Sequence, residues 1–158
     1  MKFGEAVRSA VIKNYFKLEG RASRSEYWWF GLFFGLSTFV AAFVDGIWLA
    51  ARTLSQGGTL DNGFPEDVPT SYFTLLILLA LLSPSLSVHV RRFHDAGRGT
   101  QEAIAIFVLA AISSSTTEVF GTPGLIEIPE SLQMPSLIML GATSLYSVYI
   151  AVRKSVED

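Results

Sequence analysis

Apolar residues run almost unbroken over three stretches of the chain, Tyr27 to Ala50, Tyr72 to Val90 and Pro135 to Val152, and over a shorter one around Ala103 to Thr117. A bilayer's hydrocarbon core is about 30 Å thick, a distance that about 20 helical residues cross at about 1.5 Å each. The long stretches meet that length, and the fourth does so when extended over 101–120, although Ser113-Ser114-Ser115-Thr116-Thr117 makes its end polar. Such hydroxyls can bond to carbonyls one turn earlier or to a neighbouring helix. The pattern predicts an all-α membrane protein, a single domain over 1–158 with four transmembrane helices at 27–50, 72–90, 101–120 and 135–152. A re-entrant half-span is the competing reading of the third, and it would turn the last helix against its flanking charges.

Ahead of the first span, Phe3, Val7, Val11, Tyr15 and Leu18 recur every three or four residues, with Glu5, Ser9, Lys13 and Lys17 on the other side. That spacing predicts an interfacial amphipathic helix over 2–18, lying along the headgroups; a helix packing on a partner is the alternative. Gly20 ends it. Ser23 followed three residues later by Glu26 fits a capping box opening the first span. Tyr27, Trp28 and Trp29 then form an aromatic anchor at the membrane surface. Asp45, near the far end of that span, either sits in the outer interface, the preferred reading, or faces inward as a buried carboxylate. Pro84 in the second span removes a backbone donor, and the flanking Ser83, Ser85 and Ser87 are the expected partners for the freed carbonyl. Glycine, proline and acids between 53 and 70 predict an irregular outer loop, and Leu125, Ile126 and Ile128 allow a short apolar turn in the next one.

Charge orients the spans. Eleven of the 12 lysines and arginines flank the predicted helices on one side: Lys2, Arg8, Lys13, Lys17, Arg21 and Arg24, then Arg91, Arg92 and Arg98, then Arg153 and Lys154. Only Arg52 falls on the other side, with Asp61, Glu66, Asp67, Glu118, Glu127 and Glu130. Basic residues are retained in the cytoplasm during insertion, so both termini are expected there. The first apolar run begins after a head that carries three glutamates, too late for a cleaved signal peptide, and is expected to stay. The 158 residues are 50% hydrophobic and include no cysteine, which excludes thiolate catalysis, thiolate metal sites and disulfides.

The densest chemistry lies at Val88-His89-Val90-Arg91-Arg92-Phe93-His94-Asp95-Ala96-Gly97-Arg98-Gly99. On a continuing helix Arg91, His94 and Asp95 share a face, so Arg91 and Asp95 can pair; Gly97 and Gly99 end the helix and admit a close backbone approach. Three readings compete. The arginines bridge to Glu26 or Asp95 and tie two helix ends together; or they fork onto a lipid phosphate or a phosphorylated ligand; or His89, His94 and Asp95 form a catalytic or metal site. A spacing of five residues turns the two histidines about 140° apart at 3.6 residues per turn, poor geometry for one ion.

Gly20-Arg21-Ala22-Ser23-Arg24-Ser25-Glu26-Tyr27-Trp28 and Arg91-Arg92-Phe93-His94-Asp95-Ala96-Gly97-Arg98 resemble the two signature stretches of the DUF805 family, small bacterial inner-membrane proteins of undefined activity. The run Leu82 to Val88 into the second stretch is similar as well. The resemblance implies a bacterial inner-membrane location and supplies no reaction. The second half departs: Thr100-Gln101-Glu102 stands where family members carry tryptophans, and Gly121-Thr122-Pro123-Gly124 lacks the family's usual continuation.

The expected function is a non-catalytic accessory or scaffolding subunit, without cofactor or metal. Its spans pack on other integral membrane proteins, and its basic rim holds anionic lipid headgroups or a partner; no nucleic-acid partner is expected. Candidate binding residues are Arg21, Arg24, Glu26, Arg91, Arg92, His94, Asp95, Gly97 and Arg98. Gly31 and Gly35, with Gly141, Ala142 and Ser144, offer small faces for helix contact. A small oligomeric transporter or channel using Asp45 and the Pro84 kink is the alternative, and a lipid-modifying enzyme working through His94 and Asp95 a third.

Overall fold

In the computed structural model, which describes residues 1–55, 57, 72–116 and 129–156, with only the backbone of Ser115 and Thr116, every regular element is helical. The outer-loop residues from 58 to 70, the end of the third predicted span at 117–120 and the apolar turn at Leu125, Ile126 and Ile128 lie outside the described residues. Helix α1 (Phe3–Arg8) runs into a five-residue π-helical turn (Ser9–Lys13). Four helices follow: α2 (Arg24–Ser55), α3 (Tyr72–Asp95), α4 (Thr100–Thr116) and α5 (Glu130–Val152). Among the described residues α2, α3 and α5 are long and apolar enough to cross a membrane. With 17 residues, α4 reaches only about 26 Å at about 1.5 Å per residue.

Several boundaries move for physical reasons. The second span does not stop at Val90: α3 continues through the arginines to Asp95, because protein groups rather than lipid surround them. Its burial inverts the usual expectation of a soluble helix. Ser87 to Phe93 are all buried, whereas Tyr72, Phe73, Leu75, Leu76, Leu79 and Leu82 are exposed, as lipid-facing side chains should be. At that buried end, Val90, Phe93, Ala96, Ala103 and Ile150 form one apolar cluster, and Val88, Phe30 and Ala10 another. Helix α5 opens five residues before Pro135, which sits inside it.

The N-terminal segment corrects the amphipathic reading. Helix ends at Lys13 rather than near Leu18, and the residues it buries completely are Ala6 and Ala10. Small side chains let it lie close against α2, where Phe3 also meets Trp29 edge-on at 5.8 Å. Beyond Lys13 the chain unwinds because α3 offers better partners. The Ser83 hydroxyl donates to the Tyr15 carbonyl at 2.8 Å, and the Ser87 hydroxyl lies 2.7 Å from the Asn14 carbonyl and 2.6 Å from that of Lys17. In exchange, the Tyr15 hydroxyl donates at 2.5 Å to the Ala80 carbonyl. That carbonyl is the one Pro84 leaves without its helical N–H. Ser83 and Ser87 therefore do not serve the proline kink themselves; they hold the segment that does.

Asp45 is a second correction. It is buried, and its carboxylate accepts the N–H groups of Phe73 (2.9 Å) and Thr74 (2.8 Å). A residue of α2 thereby caps the start of α3, using two donors that no earlier turn can satisfy. At the opposite end of the bundle three segments converge. The Ala22 N–H donates to the Arg91 carbonyl (3.1 Å), the Arg92 guanidinium to the Arg153 carbonyl, and the Val156 N–H to the Asp95 carbonyl (2.9 Å).

Candidate functional site

That convergence gathers both signature stretches. Gly20 adopts φ +93°, a left-handed turn, and brings Ala22 against the end of α3. The first turn of α2 then lies beside Arg91. Glu26 donates its backbone N–H to the Ser23 hydroxyl at 3.2 Å, half of the anticipated capping box. Its carboxylate instead faces Arg91 (2.9 Å) and accepts the Ser9 hydroxyl (2.9 Å). Both members of the Glu26–Arg91 pair have side chains only 5% exposed.

The expected pairing of Arg91 with Asp95 is not the one observed. Arg91 points across to α2, and Asp95 is held three residues away by Arg92, whose side chain is fully buried. Asp95 also accepts the Ser155 hydroxyl at 2.7 Å. The register decides this: backbone contact with Ala22 puts Arg91 on the α2 side, leaving Arg92 and Asp95 toward the residues after α5.

The remaining candidates separate into inner and outer groups. His94 bridges the Gly20 carbonyl (3.3 Å) and the Thr100 hydroxyl (2.7 Å), linking the first signature stretch to the start of α4. His89 lies elsewhere, among the rings of Phe93 (4.6 Å between centroids), Phe107 (5.7 Å) and Tyr27 (6.4 Å). Arg24 is exposed and donates through Nε to the Arg153 carbonyl (3.1 Å), and Arg21 reaches the Val156 carbonyl (3.3 Å). Arg98 makes a half-exposed pair with Glu102 at 3.7 Å, a contact that contributes about 0–1 kcal/mol. Glu102 also accepts the Tyr146 hydroxyl. Gly97 adopts φ +76° and, as anticipated, permits a close approach: a Cβ there would stand 2.8 Å from Val156 Cγ2. Of the surface anchors, Trp28 and Trp29 are exposed, while Tyr27 is half-buried beside His89.

Sequence reasoning missed Ser9, Thr100, Ser155 and Val156. Only Thr100, at a helix start after a glycine, carries a local signal; the others enter through contacts from distant parts of the chain. Chemically, the assembly binds charges to one another and to carbonyls. One histidine also meets a hydroxyl: His94 lies within hydrogen-bonding distance of Thr100, while His89 packs among aromatic rings.

A family model described as "Protein of unknown function (DUF805)" matches residues 15–155. It therefore includes the second half of the chain, despite the local departures after Gly99. The chain is 33% identical over 99 residues to the inner membrane protein YhaI of Escherichia coli K12, covering 63% of this chain and 69% of that protein. It is 34% identical over 120 residues to the inner membrane protein YhaH of the same strain, covering 72% and 85%. No solved structure matches it.

Proposed function

This chain belongs to the DUF805 family, and from that premise we propose that it is a non-catalytic scaffolding subunit of the bacterial inner membrane, packing against other integral membrane proteins. One observation carries the reading: the signature side chains engage each other and the chain's own backbone. Glu26 with Arg91, and Arg92 with Asp95, form enclosed pairs that clamp α2, α3 and the residues after α5 into one end of the bundle. A site built for turnover would leave such groups facing a substrate cavity.

The clamped end faces the cytoplasm in this proposal, with four crossings and both termini inside. The meeting of residues 20–24, 91–98 and 153–156 at one end supports it, since α2, α3, α4 and α5 must then alternate in direction. So does the gathering of 11 of the 12 basic residues on that side. The modest length of α4 is met by local thinning of the bilayer or by its neighbours. Anionic headgroups contact the exposed Arg24 and Lys154, whereas Arg91 and Arg92 are enclosed. The exposed apolar faces of α2 and α5, among them Phe39, Phe43, Ile138 and Leu145, are available to lipid or to partner helices. Asp45, the best support for a transport path, is engaged by two amides of α3.

The absence of cysteine makes topology directly testable. Cysteines replacing Lys2 or Lys154 will resist a membrane-impermeant maleimide in intact spheroplasts, whereas one replacing Gly57 will react. Labelling of positions 2 and 154 from opposite sides of the membrane refutes the even-numbered crossing scheme. For the scaffolding role, native membranes extracted in several mild detergents are expected to yield the chain in an assembly larger than itself. Recovery of free monomer under every gentle condition sinks that role.

A further inference from the structure

The residues after α5 are extended (Arg153 φ −60°, ψ 143°) and lie across the two signature stretches. Each contact reads a different property of that segment. The Arg153 carbonyl accepts from the Arg92 guanidinium and from Arg24 Nε. Arg21 reaches the Val156 carbonyl, and the Val156 N–H donates to the Asp95 carbonyl. These contacts recognise backbone. The Ser155 hydroxyl donates to the Asp95 carboxylate, so a side-chain donor is recognised as well. Val156 lies over Gly97, where any Cβ would collide with it.

We infer that the two signature stretches together form a receptor for an extended peptide, with Arg153–Val156 as its resident occupant in cis. The class it accepts is a segment presenting a hydroxyl side chain followed by a β-branched aliphatic residue. Backbone hydrogen bonds supply affinity, and the pockets for individual side chains supply selectivity, as in other extended-peptide recognition. The receptor side is buried beneath the segment, Arg92 fully and Asp95 almost so, whereas Arg153 to Val156 remain exposed. A short, exposed occupant over an enclosed charged floor is one that a competing segment of the same chemistry can displace. This inference does not depend on which helices meet partners in the bilayer, nor on the orientation of the bundle.

The test uses the full chain. Ser155→Asp sets a second carboxylate against Asp95 and ejects the resident segment while leaving the receptor residues intact. A fluorescent hexapeptide of residues 151–156 will then bind the variant at least about tenfold more tightly than the wild type, whose receptor is mostly occupied in cis. The same peptide with alanine for Ser155 will lose most of that affinity, and Gly97→Ala in the variant will abolish the seat for Val156. Equal binding by variant and wild type, or binding indifferent to the serine, overturns the inference. A second measurement is independent of that variant's folding. In the wild-type chain, amide exchange at Val156, whose N–H donates to the Asp95 carbonyl, will be slow and will be accelerated by excess hexapeptide but not by its alanine form. Rapid exchange unaffected by peptide also overturns it.

Discussion

Arg91→Ala will destabilise the protein by about 3–5 kcal/mol, because it strands the Glu26 carboxylate in an enclosed site. Both side chains of that pair are 95% buried, given their 5% exposure, and they meet at 2.9 Å. Taking the ions out of water already carries a large penalty, which their attraction offsets only while both are present. The remaining neighbour of Glu26, the Ser9 hydroxyl, is neutral and cannot replace a guanidinium. Glu26→Gln in the Arg91→Ala background will recover a substantial part of the loss, since the amide carries no charge and still accepts from Ser9. Equilibrium unfolding in mixed micelles of the two single variants and the double gives the coupling directly. A loss below about 1 kcal/mol for Arg91→Ala would place the pair in the range of exposed salt bridges and remove the clamp from the account.

The other large effect is expected at the opposite end of the bundle. Asp45→Ala will cost about 2–4 kcal/mol, combining the removal of two charge-assisted hydrogen bonds with the loss of a helix cap. The amides of Phe73 and Thr74 have no earlier turn to bond to, and the carboxylate that serves them arrives from α2. The helix N-terminus also favours a negative charge, so Asp45→Asn, which still accepts, will lose roughly half as much. Amide exchange at residues 73 and 74 should accelerate in Asp45→Ala before exchange in the rest of α3 does. Unchanged exchange there, with unchanged stability, would mean that water caps α3 equally well and that Asp45 has another role.

How much of this was legible beforehand differs by residue. The long apolar runs were readable because lipid imposes a length and a hydrophobicity that composition alone reveals. Their ends were not, since α3 continues through Arg91 and Arg92 only because Glu26, Asp95 and a carbonyl after α5 meet them. Ser23 and Glu26 carry a local capping pattern, and half of it forms; the other half yields to an arginine 65 residues further on. The Arg91–Asp95 pairing followed correctly from helical spacing but lost to a bond between Ala22 and Arg91, which no spacing within one helix can foresee. Pro84 announced that a carbonyl needed a donor. Its provider, Tyr15, lies on a segment whose own periodicity argued for continuous helix.

Solvent preference, the existence of the long apolar segments, the side on which the cations gather and the family were all inherent in the order of residues, because each depends on local composition or on neighbours within a few positions. Which buried charge meets which, which helix caps another and what lies over Gly97 were decided only by the folded chain. Those contacts join groups tens of residues apart, and their energies depend on enclosure from water that exists only after the helices have packed.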